Sequence, residues 1–262
     1  MKSKECSVLI LSRDASWRQA YLTSVFFRKY WNDCPFDLCL CTQEQTEGLE
    51  YYDNVFRTDV SDNWGQRLRK ALSNIKTEYV ILCPEDDFLQ SQVNTEKMQE
   101  VISYCRENGV GAVRLAPPLL FTVPYTEKYD MVPRDSIYRL VLHPMLFRKS
   151  YLEKFAEMEY TPWQFEREGS LYSREFKDNI LCAKEPLYDS VHAWSHGMWT
   201  REGYRLLKAS GIEKSMINFA KVYPWYKLIK DKIFIAIIKI APNTVTKIRT
   251  AQAGVDNKKL SM

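Results

Sequence analysis

Tyr79-Val-Ile-Leu-Cys-Pro-Glu85-Asp86-Asp87-Phe-Leu89 decides how the chain is read. Residues 79–83 form a short, almost unbroken apolar run, as expected of a strand covered on both faces, and Pro84 ends it. Three consecutive carboxylates follow at once. Adjacent like charges repel unless a cation neutralises them. A hard divalent ion such as Mn²⁺ or Mg²⁺, which prefers oxygen ligands, would do so. A solvated acidic turn is the plainer alternative, but the place of the triplet, between an apolar strand and Phe88-Leu89, favours a metal.

Working outward, the pattern repeats strand then helix. Cys6-Ser-Val-Leu-Ile-Leu-Ser12 reads as a first buried strand, and Trp17, Tyr21, Leu22, Val25 and Phe26 fall at helical spacing within 15–31. Strands are expected at 36–41, 55–56 and 110–115. Helices are expected at 64–75, capped by Asp62, and from Asn94 to a stop at Asn108-Gly109. Such alternation predicts an α/β fold with a mostly parallel, Rossmann-like sheet flanked by helices, whose ligands bind beyond the carboxyl ends of the strands. In the second half, 117–133 reads as a loop opened by Pro117-Pro118 and 137–142 as a strand. Helices are expected at 149–157 and 162–176, the second with proline in its first turn.

Composition bounds the rest. With 262 residues, 45% hydrophobic and 27% charged, the chain is of globular rather than disordered type. Only nine glycines argue against a glycine-punctuated barrel, and no apolar run is long enough to span a bilayer. Residues 1–5 are charged and lead straight into the first strand, unlike a signal peptide. The seven cysteines, including Cys39-x-Cys41, lack the second pair of a zinc site, so buried thiols in a reducing, cytoplasmic setting are expected. Residues 214–262 carry ten Lys or Arg against two Asp, whereas the preceding 213 hold 27 basic and 31 acidic side chains. The body has no basic stripe of the kind that tracks nucleic acid, so no nucleic-acid partner is expected.

The acidic motif at a strand end resembles that of the nucleotide-diphospho-sugar glycosyltransferases of the GT-A fold, and the similarity extends over about residues 6–200. Glu85-Asp86-Asp87 stands where that family carries its Asp-x-Asp motif. The lead-in from Asp62 to Leu72, with Gly65 and Arg67, and the turn Ser12-Arg13-Asp14 after the first strand also fit. The resemblance implies a nucleotide-diphosphate sugar donor held by Ser12, Arg13, Asp14, Gly65, Arg67, Glu85 and Asp86. It implies a Mn²⁺ or Mg²⁺ ion on Asp87, with Glu85 and a late-loop histidine. His196 is the candidate for that histidine, His192 the alternative, and His143 reads as structural. Cys41-Thr-Gln-Glu44 departs from the family, many of whose members have paired aspartates there, and this leaves the base open.

Tyr160-Thr-Pro-Trp163-Gln-Phe165-Glu166-Arg-Glu168 is similar to a Pro-Trp-Glu-Phe-Glu motif of bacterial surface-polysaccharide (capsule or lipopolysaccharide) transferases, with Gln164 in place of its first Glu. By that resemblance Trp163 and Phe165 stack on sugar, and Glu166, with Glu168 second, takes the proton from the attacking hydroxyl of a glycan or lipid-linked acceptor. A hydrophobic anchor with surface carboxylates is the competing reading. The expected domains are a catalytic unit at 1–213, divided into a donor half at 1–116 and an acceptor half at 117–213, and a basic amphipathic helical tail at 214–262. Within the tail, 222–241 mixes Trp, Tyr, Lys and Ile as an interfacial helix on an anionic membrane would. A peripheral place on the inner face of the membrane follows from that. Two rivals stand beside a glycosyltransferase. A sugar nucleotidyltransferase would bring a glycine-rich loop, which Ser12-Arg13-Asp14-Ala15 lacks, and the other rival is an inactive, membrane-docked sugar-binding scaffold.

Overall fold

The apolar run at Cys6–Leu11 (β1) lies between Asp37–Thr42 (β2) and Tyr79–Pro84 (β4), parallel to both. These pairings come from a computed structural model that describes residues 5–116, 122–136 and 138–226 together with Ile233 and Ala236. Asn54–Arg57 (β3) extends the sheet beyond β2. On the other side of β4 the order continues through Met145–Arg148 (β9), Ala112–Arg114 (β6), Ile180–Ala183 (β10), Tyr129–Met131 (β8) and Val123–Pro124 (β7). Nine strands thus form one sheet among the described residues. β9 runs antiparallel to both β4 and β6, and β8 antiparallel to β10 and β7. The rest are parallel, so the sheet is of the mostly parallel α/β type expected.

All six residues of β1 are buried, and their side chains alternate between two covered faces. Cys6, Val8 and Ile10 meet the helices Trp17–Tyr30 (α1) and Thr95–Asn108 (α3) on one face. Leu9 and Leu11 meet Trp64–Asn74 (α2), Lys149–Ala156 (α4) and Pro162–Tyr172 (α5) on the other. A third cluster joins Leu22 and Phe26 of α1 to Phe88, Ala193 and Trp199, and to Leu207 and Ile217 of Arg201–Ala209 (α6) and Lys214–Asn218 (α7). All seven cysteines are buried.

Some local expectations change. Asn63 rather than Asp62 caps α2, because its side chain reaches the Gln66 amide while Gln66 bonds back, a reciprocal capping box. The Asp62 carboxylate is instead engaged by Lys70 at 2.6 Å. The stretch 122–133 contains β7 and β8 rather than only loop; 117–121 lie outside the described residues. Residues 138–142 are not a strand, and the β strand follows them as β9. Most of 222–241 lies outside the described residues, as do 241–262; no helix among those described is long and apolar enough to cross a membrane.

Candidate active site

The three carboxylates leave β4 in a turn and enter a short strand, Asp87–Leu89 (β5), which pairs antiparallel with Ser190–His192 (β11). In that register His192 is the partner of Asp87. β9 runs opposite to β4, so its amino end lies at the carboxyl end of β4, and His143 just before it arrives at the same place. Asp87, at 0% exposure, receives both rings: His143 Nδ1 lies 2.9 Å from Oδ2 and His192 Nδ1 3.0 Å from Oδ1. Asp86 Oδ2 is 3.9 Å from the same His192 nitrogen.

Electrostatics follow from this crowding. Burial opposes a charge on Asp87, but the neighbouring imidazoles outweigh it and hold the carboxyl well below the usual range. Asp86 is pushed up to about 7 by burial, against the pull of His192. The Asp87 charge raises His143. Burial draws His192 down, yet the hydrogen bond and charge of Asp87 raise it to about 9. One ligand atom from each of Asp87, His143 and His192 lies within 4.8 Å of the others, close enough for one cation to replace the shared protons.

A cavity of about 420 Å³ opens beside this cluster at the carboxyl edge of the sheet, where α/β folds bind ligands. Ser12 and Arg13 at the end of β1 and Arg67 of α2 line one part of it; Glu85, Asp86, His192 and Trp163 line the rest. Arg67 is 8% exposed and donates from Nη1 to the Ser12 carbonyl at 2.5 Å, while its buried Nε has no partner among the described residues. Trp163, at the start of α5, is 70% exposed. Glu166 is largely enclosed; burial raises its carboxyl, and Oε1 accepts the Leu142 amide at 2.7 Å.

Five of the expected site residues have structural settings of their own. Phe165 is fully buried against Trp64, Phe147 and Phe155, so no sugar reaches its ring. Glu168, two residues beyond Glu166, projects from another side of the helix and is buried beside Arg167; Glu166 instead bonds Leu142, which lines the cavity. His196 occupies, with Gly197, the turn between Trp194–Ser195 (β12) and Met198–Trp199 (β13). Both residues have positive φ, as a tight hairpin requires, and the His196 ring stacks on Tyr223 rather than joining Asp87. Asp14 accepts the backbone amides of Gln43, Glu44 and Gln45 and so fastens the turn after β2. Gly65 is small for a packing reason: a Cβ there would lie 2.4 Å from the Glu159 backbone.

Sequence reasoning missed His143. The available signal was the apolar run Met145-Leu-Phe147 after Pro144, which marks a strand entering the sheet directly behind the histidine.

Fold and cleft together define a Rossmann-like α/β protein with a ligand cavity at the carboxyl edge of its sheet. The chain is similar to crystal structures of S. aureus TarS at 14% identity: one match has a TM-score of 0.49 over 78% of this chain and 38% of TarS. Another, a TarS structure in complex with UDP-GlcNAc, has a TM-score of 0.47 over 78% of this chain and 65% of that one, also at 14% identity. A cytidylyltransferase from Leptospira borgpetersenii matches at 14% identity and a TM-score of 0.47, over 92% of this chain and 96% of its own. No protein-family model matches the sequence, and no curated protein is recognisably similar to it.

Proposed function

We propose that the protein is a metal-dependent glycosyltransferase that moves a sugar from a nucleotide-diphosphate donor to a hydroxyl acceptor. The observation that carries this reading is the Asp87–His143–His192 cluster beside a cavity whose wall holds the buried guanidinium of Arg67. A carboxylate with two imidazoles suits Mn²⁺ better than Mg²⁺, which favours oxygen ligands throughout. These three residues would hold the ion, with Glu85 and Asp86 near it; when bound, it would neutralise the diphosphate leaving group.

The chain's own residues supply the remaining parts. Arg67 and Arg13, which both line the cavity, offer positive charge to the donor phosphates. The exposed indole of Trp163 provides a flat apolar face for the acceptor sugar. Glu166 has one oxygen engaged by Leu142; its other oxygen takes the proton of the attacking hydroxyl, in a single inverting displacement. Residues 222–241 would hold the enzyme on the inner, anionic face of a membrane, close to a lipid-linked or polysaccharide acceptor. Trp225 and Tyr226, 60% and 59% exposed, are suited to the interfacial region.

Incubation of the purified chain with nucleotide-diphosphate sugars, with and without Mn²⁺, tests the reading by release of nucleoside diphosphate. Mn²⁺-dependent release is expected. Pyrophosphate formed from a nucleoside triphosphate and a sugar phosphate would identify a nucleotidyltransferase instead. Binding without turnover would identify a scaffold.

A further inference from the structure

The segment 138–144 carries His143 to Asp87 without belonging to any strand. Its backbone polar groups still need partners, because an unpaired buried N–H or C=O is costly. Side chains of α5 and the turn after it supply them. The Leu142 amide donates to Glu166 Oε1 at 2.7 Å, and the Leu140 amide to Ser170 Oγ at 2.9 Å. Arg139, 1% exposed, donates from Nη1 to the Ser173 hydroxyl at 2.7 Å and to its carbonyl at 3.0 Å.

The helix partners share one side of α5 and its continuation. Glu166, Ser170 and Ser173 stand at i, i+4 and i+7, on one helix face. Leu140 and Leu142, two apart on a bent segment, meet Ser170 and Glu166, four apart on the helix. Ser170 is fully buried and completes its valence by donating to the Glu166 carbonyl. At the far end Tyr138 has φ of 53°, a left-handed conformation that costs a non-glycine residue energy. The buried Arg114 holds it there by donating to its carbonyl.

We propose that the polar face of α5 is a side-chain template that replaces a neighbouring strand and sets the position of His143, with Ser170 as a positioning residue. The inference deepens the metal-site reading above and rests on it for its metal-binding arm only. Glu166 then has two separable duties: either oxygen-bearing side chain, Glu or Gln, can accept the Leu142 amide, whereas only Glu can accept a proton.

The test uses the full chain and MnCl₂ alone, followed by calorimetry. Ser170→Ala and Glu166→Ala are expected to weaken Mn²⁺ binding about tenfold, the low end of the effect of residues that orient ligands. Glu166→Gln should stay within about twofold of the parent, because an acceptor remains in place. Nitrogen-15 imidazole NMR supplies a readout free of metal. An ionised Asp87 can only accept, so His143 must carry its hydrogen on Nδ1. That hydrogen-bonded Nδ1–H signal is expected in the parent and in Glu166→Gln, and lost or shifted in Ser170→Ala and Glu166→Ala. Unchanged His143 signals in the two alanine variants would overturn the inference. If the parent binds no Mn²⁺, the metal reading fails and the NMR comparison alone judges the template. If Ser170→Ala does not fold, the Glu166 pair decides.

Discussion

His192 stands directly across from Asp87 in the ribbon formed by β11 and β5, and its Nδ1 lies 3.0 Å from Asp87 Oδ1. Strand pairing, not loop conformation, therefore fixes one imidazole on the carboxylate. The second, His143, reaches the same carboxylate from the segment that precedes β9. Two backbone devices of different kinds converge on one buried acid.

From this convergence, Asp87→Asn should lose Mn²⁺ binding and transfer while the chain stays folded. His192→Ala should weaken Mn²⁺ binding by at least the about 100-fold at the upper end for residues that merely support ligands. His196→Asn is the control. Asparagine tolerates the positive φ of that turn, and the ring it removes touches Tyr223 and not the cluster. Its Mn²⁺ affinity should equal the parent's by calorimetry.

Glu166→Gln should bind the donor as the parent does and lower turnover about 10²–10⁴-fold, the range for loss of a general base. The split is read by comparing donor affinity with kcat. Glu168→Gln should leave kcat unchanged, because Glu168 is buried beside Arg167 on another side of α5.

Gly65→Ala is expected to destabilise the fold by about 3 kcal/mol, as overpacking against backbone does. The added methyl would meet Glu159 Cα and C at 2.4 Å and Tyr160 N at 2.6 Å, and backbone cannot rotate aside as a side chain can. Urea unfolding followed by circular dichroism measures it. A variant as stable as the parent would mean that α2 and the 159–160 segment sit further apart.

Asp14 links pH to stability. Burial is the largest single influence and opposes its charge, but the amides of Glu44, Gln45 and Gln43 together hold its pKa below the ordinary value. A lowered native value stabilises the fold fully above about pH 4, the unfolded aspartate value, and that contribution is lost as the pH falls through the native one. Asp14→Asn should therefore lower the melting temperature at pH 7 and reduce its fall between neutrality and pH 3. A difference between the two proteins that stays constant with pH would contradict this origin.

The first half of the fold was legible because β1, β2 and β4 are apolar on both faces and a helix such as α3 carries explicit caps, Asn94 and Gly109. The strand expected at 137–142 failed for a physical reason. Its alternating Leu140 and Leu142 imitate a β pattern, but their amides are satisfied by helix side chains that a period-two reading does not see. The acidic motif pointed to Asp87, and the aromatic motif to Glu166 and Trp163. Which histidines meet Asp87 depends on strand order, since His143 and His192 are 49 positions apart in sequence and brought together only by β9 and β11. Phe165 and Glu168 show the same limit on a smaller scale, because neighbours on one helix face different surroundings.

Membrane attachment is tested by removing residues 227–262. Tyr223 is buried and its amide bonds to Trp199, so the cut spares the segment that completes the third core cluster. The shortened chain should no longer float with anionic vesicles at low salt, yet should hydrolyse donor at the parent's rate. Full-length protein that fails to float would place the tail against protein instead.

The most direct measurement is a crystal structure with Mn²⁺ and a nucleoside diphosphate, recorded so that manganese scatters anomalously. The account predicts one strong anomalous peak within bonding distance of Asp87, His143 and His192, with the diphosphate in the cavity between that peak and Arg67. A nucleotide bound elsewhere, or a cluster that stays free of manganese while nucleotide is bound, would contradict it.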